Sequence, residues 1–410
     1  MSPPAAAATA DRGGDPAVLL IAVHSAATGG AQAMALAQAE HFAGRCSIVA
    51  AVPEGPLRER FAACGTVIPP APSLPTWEVS PGRWALQLLR SGLDAFRLAR
   101  AIRRHRVDAV LTSSTVLLAP VLAARLARVP SFAHAREWPT SRSGRAVFWL
   151  QRRCGDVVVA ISAGVAARFA GRGRARIVCI ADGITAGERV PTPAALASPL
   201  RLCTIGALTG GDGKGQHRAV EALARLDGLG VESRLSVVGP VLDEAYAERV
   251  RETARRLGVS DRVELTGAVD DVPALLREHD ALLFCSSQGA DVTPLVLMEA
   301  LVAGRPVVAT DVGSVAEVLQ GDCGSVVPAG DPAAMAAAVA ALVGDPERAR
   351  AGARRGAERV RLHYDRETGL ERLWQEIVAE NDARTPAQVP PSLIRFSDDR
   401  PPDPMAQVDR

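Results

Sequence analysis

Short apolar runs alternate with helical segments along most of the chain, and that alternation narrows the accessible folds more than any other feature. The first run is VLLIAVH at 18–24, followed by HSAATGGAQ and a helix expected to reach about Phe42. Further runs stand at 47–52, 66–69, 109–112, 131–134 and 157–161, and IVCIADGI at 177–184 closes the series with an Asp-Gly turn. Such runs are too short for helices and too uniformly apolar to have a wet face. They read as strands buried on both sides of a parallel sheet. Helical segments are expected between them at 84–105, 116–126 and 146–153, and after Ser162, which is placed to cap one.

A second series follows residues 185–199 (TAGERVPTPAALASP), which have linker composition. Strands are expected at 201–206, 234–239, 262–266, 281–285, 306–310 and 324–327. Helices are expected at 215–229, 242–257, 272–278, 294–303, 313–319, 331–343 and 346–361. A last helix, 365–380, has Leu370, Leu373, Trp374 and Ile377 on one face to bury. Two strand–helix series in 410 residues predict two doubly wound α/β domains. The expected division is a disordered lead at 1–16, a first domain at 17–190, a linker at 191–199, a second domain at 200–364, the final helix at 365–380 and a disordered tail at 381–410.

No apolar run approaches the roughly 18 uninterrupted residues of a membrane span. The lead, MSPPAAAATADRGGD, lacks the basic start and long apolar core of a signal peptide. Seven scattered cysteines with no Cys-x-x-Cys pair fit a reducing cytosol rather than a disulfide or zinc framework. Charge is uneven: residues 1–199 hold 23 Arg against 12 acids, while residues 200–410 hold 24 basic residues against 33 acids. Opposite signs suit two domains docking on each other, and a basic first domain also suits an anionic surface. Arg97, Arg100, Arg103 and Arg104 share one face of the 84–105 helix, which is the form of a membrane contact. Lys214 is the only lysine among 47 basic residues. In a chain otherwise converted to arginine, it marks a place where a compact ammonium is wanted.

One stretch carries most of the chemistry: CSSQGADVTPLVLMEALVAGRPVVATDVG, residues 285–313. It reads as the end of a strand, a polar loop, a helix and another strand. The loop delivers Asp291, and the helix delivers Glu299 eight positions later. Thr293 is the expected N-cap with Pro294 at the first helical position. The N–H groups of Leu295 to Leu297 would then face an anion in the same crevice. A second stretch, GALTGGDGKGQ at 206–216, fails as a P-loop: Leu208 stands where the first glycine is required, and Gly-Gln follows Lys214. What remains is a flexible loop that sets one ammonium at a helix start, which suits a diphosphate.

In this order the motifs resemble glycosyltransferase family 4. The matching residues are Gly206 with Lys214-Gly215, VVG at 237–239, ELTG at 264–267, the DALLFCSS strand, the acid-x7-Glu segment, EALVAGRPVVATDVGSVAEVL at 299–319 and GSVVPAGDPAAMAAAV at 324–339. In the first half, Gly29-Gly30, His134, ISAGV at 161–165 and IADGI are concordant. The likeness covers about residues 18–380. It implies the GT-B fold: two facing Rossmann-like domains with a cleft between them, and a C-terminal helix that crosses back to the first domain.

The resemblance also implies function. A retaining, metal-independent transfer is expected from a nucleoside-diphosphate sugar to a glycan, lipid-linked or small-molecule acceptor. No permanently bound cofactor and no nucleic acid are expected, in a cytoplasmic protein able to touch the inner face of the membrane. Glu299 maps to the residue that holds the ribose, and Asp291 with Val292, Thr293, Pro294 and Leu295 to the contacts with the donor sugar. Lys214 and the Gly29-Gly30 turn map to the leaving diphosphate, and His134 to the donor sugar. Lys214, Asp291 and His134 are thus the implied catalytic positions.

The loop to Lys214 is about two residues longer than is usual in the family, and two residues depart from it: Asp291 replaces the usual Glu, and Ala207 stands where an Arg is usual. They motivate one rival reading, a catalytically silent sugar-nucleotide-binding or scaffold protein. The other rival, a nucleotide-sugar epimerase, would need more acid/base groups in the cleft than the His and Glu visible in the sequence.

Overall fold

The apolar runs do fold as strands. The computed structural model describes residues 16–26, 29–74, 80–137, 141–171, 173–187, 195–210, 213–287 and 292–384. The first half holds β1 (Val18–Ala22), α1 (Gly30–Ala43), β2 (Ser47–Ala51), α2 (Arg58–Cys64), β3 (Gly65–Ile68), α3 (Pro81–Arg104) and β4 (Ala109–Thr112). It continues with α4 (Leu118–Ala127), β5 (Ser131–Ala135), α5 (Arg142–Cys154), β6 (Val157–Ala160), α6 (Ala163–Arg168) and β7 (Arg176–Cys179). The second half holds β8 (Leu200–Ile205), α7 (Gln216–Leu226), β9 (Ser233–Val238), α8 (Glu244–Arg256), β10 (Val263–Gly267), α9 (Val272–Glu278) and β11 (Ala281–Phe284). Then come α10 (Leu295–Val302), β12 (Val307–Thr310), α11 (Val315–Val318), β13 (Ser325–Val327), α12 (Pro332–Gly344), α13 (Pro346–His363) and α14 (Arg366–Asp382).

The first sheet runs β3-β2-β1-β4-β5-β6-β7 and the second β10-β9-β8-β11-β12-β13. The pairings are parallel, for example Leu20 beside Val110 and Leu282 beside Cys203. In each sheet the chain order reverses beside its first strand, at β1/β4 and at β8/β11. Ligand crevices of doubly wound sheets open at the carboxyl ends of the strands at these switch points. Alternate residues of β1 face opposite layers. Leu19 and Ile21 pack against α1 and α14, while Leu20 and Ala22 pack against α3 and α4.

The final helix crosses back to the first domain, as expected. Ile184 N–H donates to Tyr364 O at 3.0 Å, and Arg366 N–H donates to Ile184 O at 3.0 Å. Leu370, Leu373, Trp374 and Ile377 of α14 then join the first-domain core, with the Trp374 ring 5.3 Å from that of Phe42. Ion pairs Arg45–Glu371 and Arg176–Glu376 rim that contact.

Three local readings need correction. The short helix α2 was not expected; only Phe61 of it is buried, so it has no apolar period to read. Helix α5 starts four residues earlier than expected, at Arg142, because Ser141 caps it by accepting from Gly144 N–H at 2.8 Å. Thr293 does not cap α10; Pro294 holds the N-cap position and no side chain caps that helix. The expected lead and tail, and residues 188–194 of the linker region, lie outside the described residues.

Candidate functional site

The carboxyl edges of the two sheets meet through the starts of α1 and α10. A Cβ on Gly30 would sit 3.6 Å from Leu295 Cδ1, so the Gly29-Gly30 turn and the first residue of α10 face each other across the cleft. Just before α10, Val292 is buried in a first-domain cluster with Ala135, Phe148, Ile161 and Val165. The Thr293 hydroxyl lies 2.8 Å from that of Ser314, and Ser314 Oγ donates to Val292 O at 2.7 Å. Val292 and Thr293 are therefore pinned from both sides, which explains why Thr293 is drawn away from the cap. Asp291 lies outside the described residues.

Glu299 is on the second turn of α10. Burial pushes its carboxyl above the usual range. It lines a cavity of about 420 Å³ with Ile184, Thr185, Pro273, Arg277 and Arg366, at the junction of the domains. None of the hydrogen bonds or ion pairs among the described residues engages its carboxylate. A half-buried carboxylate that opens into a cavity and accepts from no protein donor has acceptor capacity left for a ligand.

Lys214 is set by glycines on either side of it. Gly215 is left-handed (φ 68°), and a Cβ there would lie 2.1 Å from Cys285 O, so only glycine allows α7 to start this close to β11. The Lys214 stem runs over Gly206, whose added Cβ would meet its Cδ at 3.6 Å. Gln216 Nε2 donates to Gly206 O at 3.1 Å, and Ser287 N–H donates to Gly213 O at 2.9 Å. These bonds hold the ammonium at the edge of β8 and β11. On the next turn, Arg218 approaches Gly330, whose added Cβ would lie 3.7 Å from the guanidinium carbon. A second cation therefore stands near this edge, although Ala207 supplies none.

His134 is only 2% exposed. Its Nδ1–H donates to Thr112 O at 3.3 Å, and its Nε2 accepts from the Gln38 amide at 3.1 Å. Burial, aided by the nearby Arg136 charge, lowers its pKa to about 3, so the ring is neutral. It lies beneath the cleft floor instead of on its surface.

A network that sequence reasoning missed occupies the carboxyl ends of β1, β4, β5 and β7. Arg136 binds Asp182 through two bonds, at 2.6 and 2.8 Å, and also donates to Ser113 O at 2.7 Å. The pair is dry, with the two side chains 5% and 9% exposed. Burial works against the Asp182 carboxylate, but Arg136 outweighs it and holds that carboxyl below its usual range. Glu137 accepts from the hydroxyls of Ser114 and Thr115. His24 contacts Ser113 Oγ at 3.2 Å and Gln32 Nε2 at 3.1 Å, and burial lowers its pKa. The one available signal was a polar residue directly after each apolar run.

Two facing Rossmann-like domains, a cleft between their carboxyl edges and a returning C-terminal helix define the GT-B class. Residues 28–187 match the family model Glycosyltransferase Family 4, and residues 199–345 match Glycosyl transferases group 1. The chain is 30% identical over 317 residues to the glycogen synthase of Mycobacterium tuberculosis, covering 71% of this chain and 72% of that protein. It is 32% identical over 323 residues to the GDP-mannose-dependent alpha-(1-6)-phosphatidylinositol monomannoside mannosyltransferase of the same organism, covering 70% and 80%. Among solved structures, Anabaena HepE in complex with UDP superposes with a TM-score of 0.71 at 19% identity, over 88% of this chain and 99% of that one. A glycosyltransferase from Rickettsia africae superposes with a TM-score of 0.69 at 16% identity, over 88% and 98%. The chain belongs to glycosyltransferase family 4 and is a nucleotide-sugar-dependent transferase.

Proposed function

We propose that the protein moves a sugar, with retention of anomeric configuration, from a nucleoside-diphosphate sugar to a glycan, lipid-linked or small-molecule acceptor. The donor lies along the edge of β8 and β11. The observation that carries this reading is the unpartnered Glu299 carboxylate in its cavity at the domain junction, on the helix whose start faces Gly30. Two vicinal ribose hydroxyls would satisfy it. Lys214, the α10 start and the Gly29-Gly30 turn offset the charge that develops on the departing diphosphate, an electrostatic role that needs no metal. Arg218 stands in for the arginine absent at Ala207. Asp291, Val292, Thr293, Pro294 and Leu295 address the donor sugar, with Thr293 acting through its backbone because its hydroxyl is engaged by Ser314. His134 supports the sugar from below as a neutral ring.

Retention follows from attack on the same face of the sugar within an ion pair, and closure of the cleft excludes the water that would hydrolyse the donor. No helix among the described residues is long and apolar enough to cross a membrane. A cytoplasmic protein that touches the membrane through its basic first domain belongs to the same proposal. Of the four arginines that motivate the contact, Arg97 also bonds Asp94 and Pro70 O, and Arg103 bonds Leu126 O. The test is a thermal-shift panel of UDP-, GDP-, ADP- and TDP-sugars with wild type, Lys214→Ala and Glu299→Ala. One donor should stabilise the wild type, and both variants should lose that stabilisation and transfer while keeping the fold. Binding without turnover on a broad acceptor panel would favour the silent sugar-nucleotide-binding protein, and no shift with any donor would refute both.

A further inference from the structure

Helix α3 buries one side and leaves an apolar side in solvent. Ser91, Ala95, Leu98, Ala99 and Ile102 face the sheet. On the opposite side, Leu86, Leu89, Leu93 and Phe96 are 48%, 68%, 73% and 67% exposed. At 100° per residue these four fall within one stripe, and Arg90, Arg97, Arg100 and Arg104 share or border it. All four arginines are exposed. The helix carries six arginines against a single acid, Asp94, which is already paired with Arg97. Scattered exposed leucines are ordinary, but an unbroken stripe of four large side chains is not.

We infer that the outer face of α3 seats in an anionic lipid surface, with Leu89, Leu93 and Phe96 entering the interface and Arg90, Arg100 and Arg104 at the headgroups. The charge pattern selects this occupant: arginines flanking a leucine stripe complement phosphate headgroups over an acyl boundary, the form of an interfacial helix. Position agrees. The start of α3 lies toward the carboxyl edge of the first sheet, where Leu74 N–H in the preceding loop donates to Val116 O after β4 at 2.8 Å. A lipid-linked acceptor would therefore reach the cleft from the same side. Trp149, 61% exposed on α5, belongs to the same helical layer. Helix α14 and the crossing that joins the domains lie over the opposite face of the sheet and stay clear of the lipid. The inference rests on the membrane contact proposed above and assigns it side chains.

The experiment is vesicle flotation of the full chain on phosphatidylcholine with and without phosphatidylglycerol, at low and high salt. The wild type should float with the anionic vesicles. The triple variant Arg90→Gln, Arg100→Gln, Arg104→Gln should lower partitioning on the order of a hundredfold at low salt. The triple variant Leu89→Ser, Leu93→Ser, Phe96→Ser should abolish the part that survives high salt. Both variants should keep the nucleotide-sugar thermal shift of the wild type, so a failed donor assignment and a failed membrane face give different results. Absence of flotation, or flotation equal in all three proteins, would overturn the inference. So would a wild-type dimer in sedimentation equilibrium that the leucine variant dissolves without any dependence on lipid, because α3 would then be a self-association face.

Discussion

Gly215→Ala is the substitution that most directly probes how Lys214 is held. Two terms add at this position. A non-glycine residue at φ 68° costs about 1–2 kcal/mol. The new Cβ would also lie 2.1 Å from Cys285 O, so α7 or β11 must give way by more than an ångström. Overpacking of that kind adds about 1–3 kcal/mol. Gly230 separates the terms: it has φ 71° and nothing within 4 Å of an added Cβ, so Gly230→Ala bears the backbone cost alone. In a domain of this size 1 kcal/mol moves Tm by about 2–4 °C. Gly230→Ala should therefore melt a few degrees below wild type, and Gly215→Ala lower again by the overpacking cost, at least about 2 °C further. Because Lys214 is the neighbour of Gly215, the nucleotide-sugar stabilisation should persist in Gly230→Ala and collapse in Gly215→Ala. Differential scanning fluorimetry with and without donor reads both effects. Equal melting of the two variants with equal donor shifts would refute the reasoning.

Three further outcomes follow from burial and charge. Asp182→Asn leaves Arg136 without its counter-charge in a dry site and should cost about 3–5 kcal/mol in urea unfolding at neutral pH. The Asp182 carboxyl is held low, so its contribution is complete above the unfolded-state pKa and lost as pH falls through the folded value; the gap between wild type and variant should close in acid. The Glu299 carboxyl is pushed up instead, so ionisation opposes folding as pH rises through the folded value. Glu299→Gln should be more stable than wild type at neutral pH and equal to it in acid, while donor stabilisation falls; unchanged neutral-pH stability would count against an unpartnered carboxylate. The His134 ring should remain neutral in NMR titrations down to about pH 3, and a protonation step near the usual histidine value would contradict its burial.

The two sheets were legible because strands of a covered parallel sheet read as uninterrupted apolar runs. The places of Glu299 and Lys214 beside the strand ends were legible because each belongs to a local motif, a strand, a loop and a helix start within a dozen or so residues. Features set by distant contacts were not. Thr293 looked like a cap until Ser314, from the far side of β12, took its hydroxyl. The Arg136–Asp182 and Glu137–Ser114 bonds join residues on separate strand ends, which no window along the chain brings together. His134 was visible as a polar residue at a strand end, but its depth depends on Gln38 and Thr112 packing over it. On α3 the arginine face was readable and the leucine stripe was not, because apolar residues surround the helix and only the packing decides which of them face water.

The proposed ribose contact of Glu299 is tested most directly by a thermodynamic cycle. Isothermal titration compares the preferred nucleoside diphosphate with its 2′,3′-dideoxy analogue on wild type and on Glu299→Ala. A carboxylate that accepts from the two hydroxyls contributes about 1.5–3 kcal/mol per charged hydrogen bond. Removing the hydroxyls should therefore weaken wild-type binding strongly and leave the variant nearly indifferent, a coupling of at least about 1.5 kcal/mol. Equal losses from the dideoxy analogue on both proteins would place the ribose elsewhere and contradict the donor site built around Glu299.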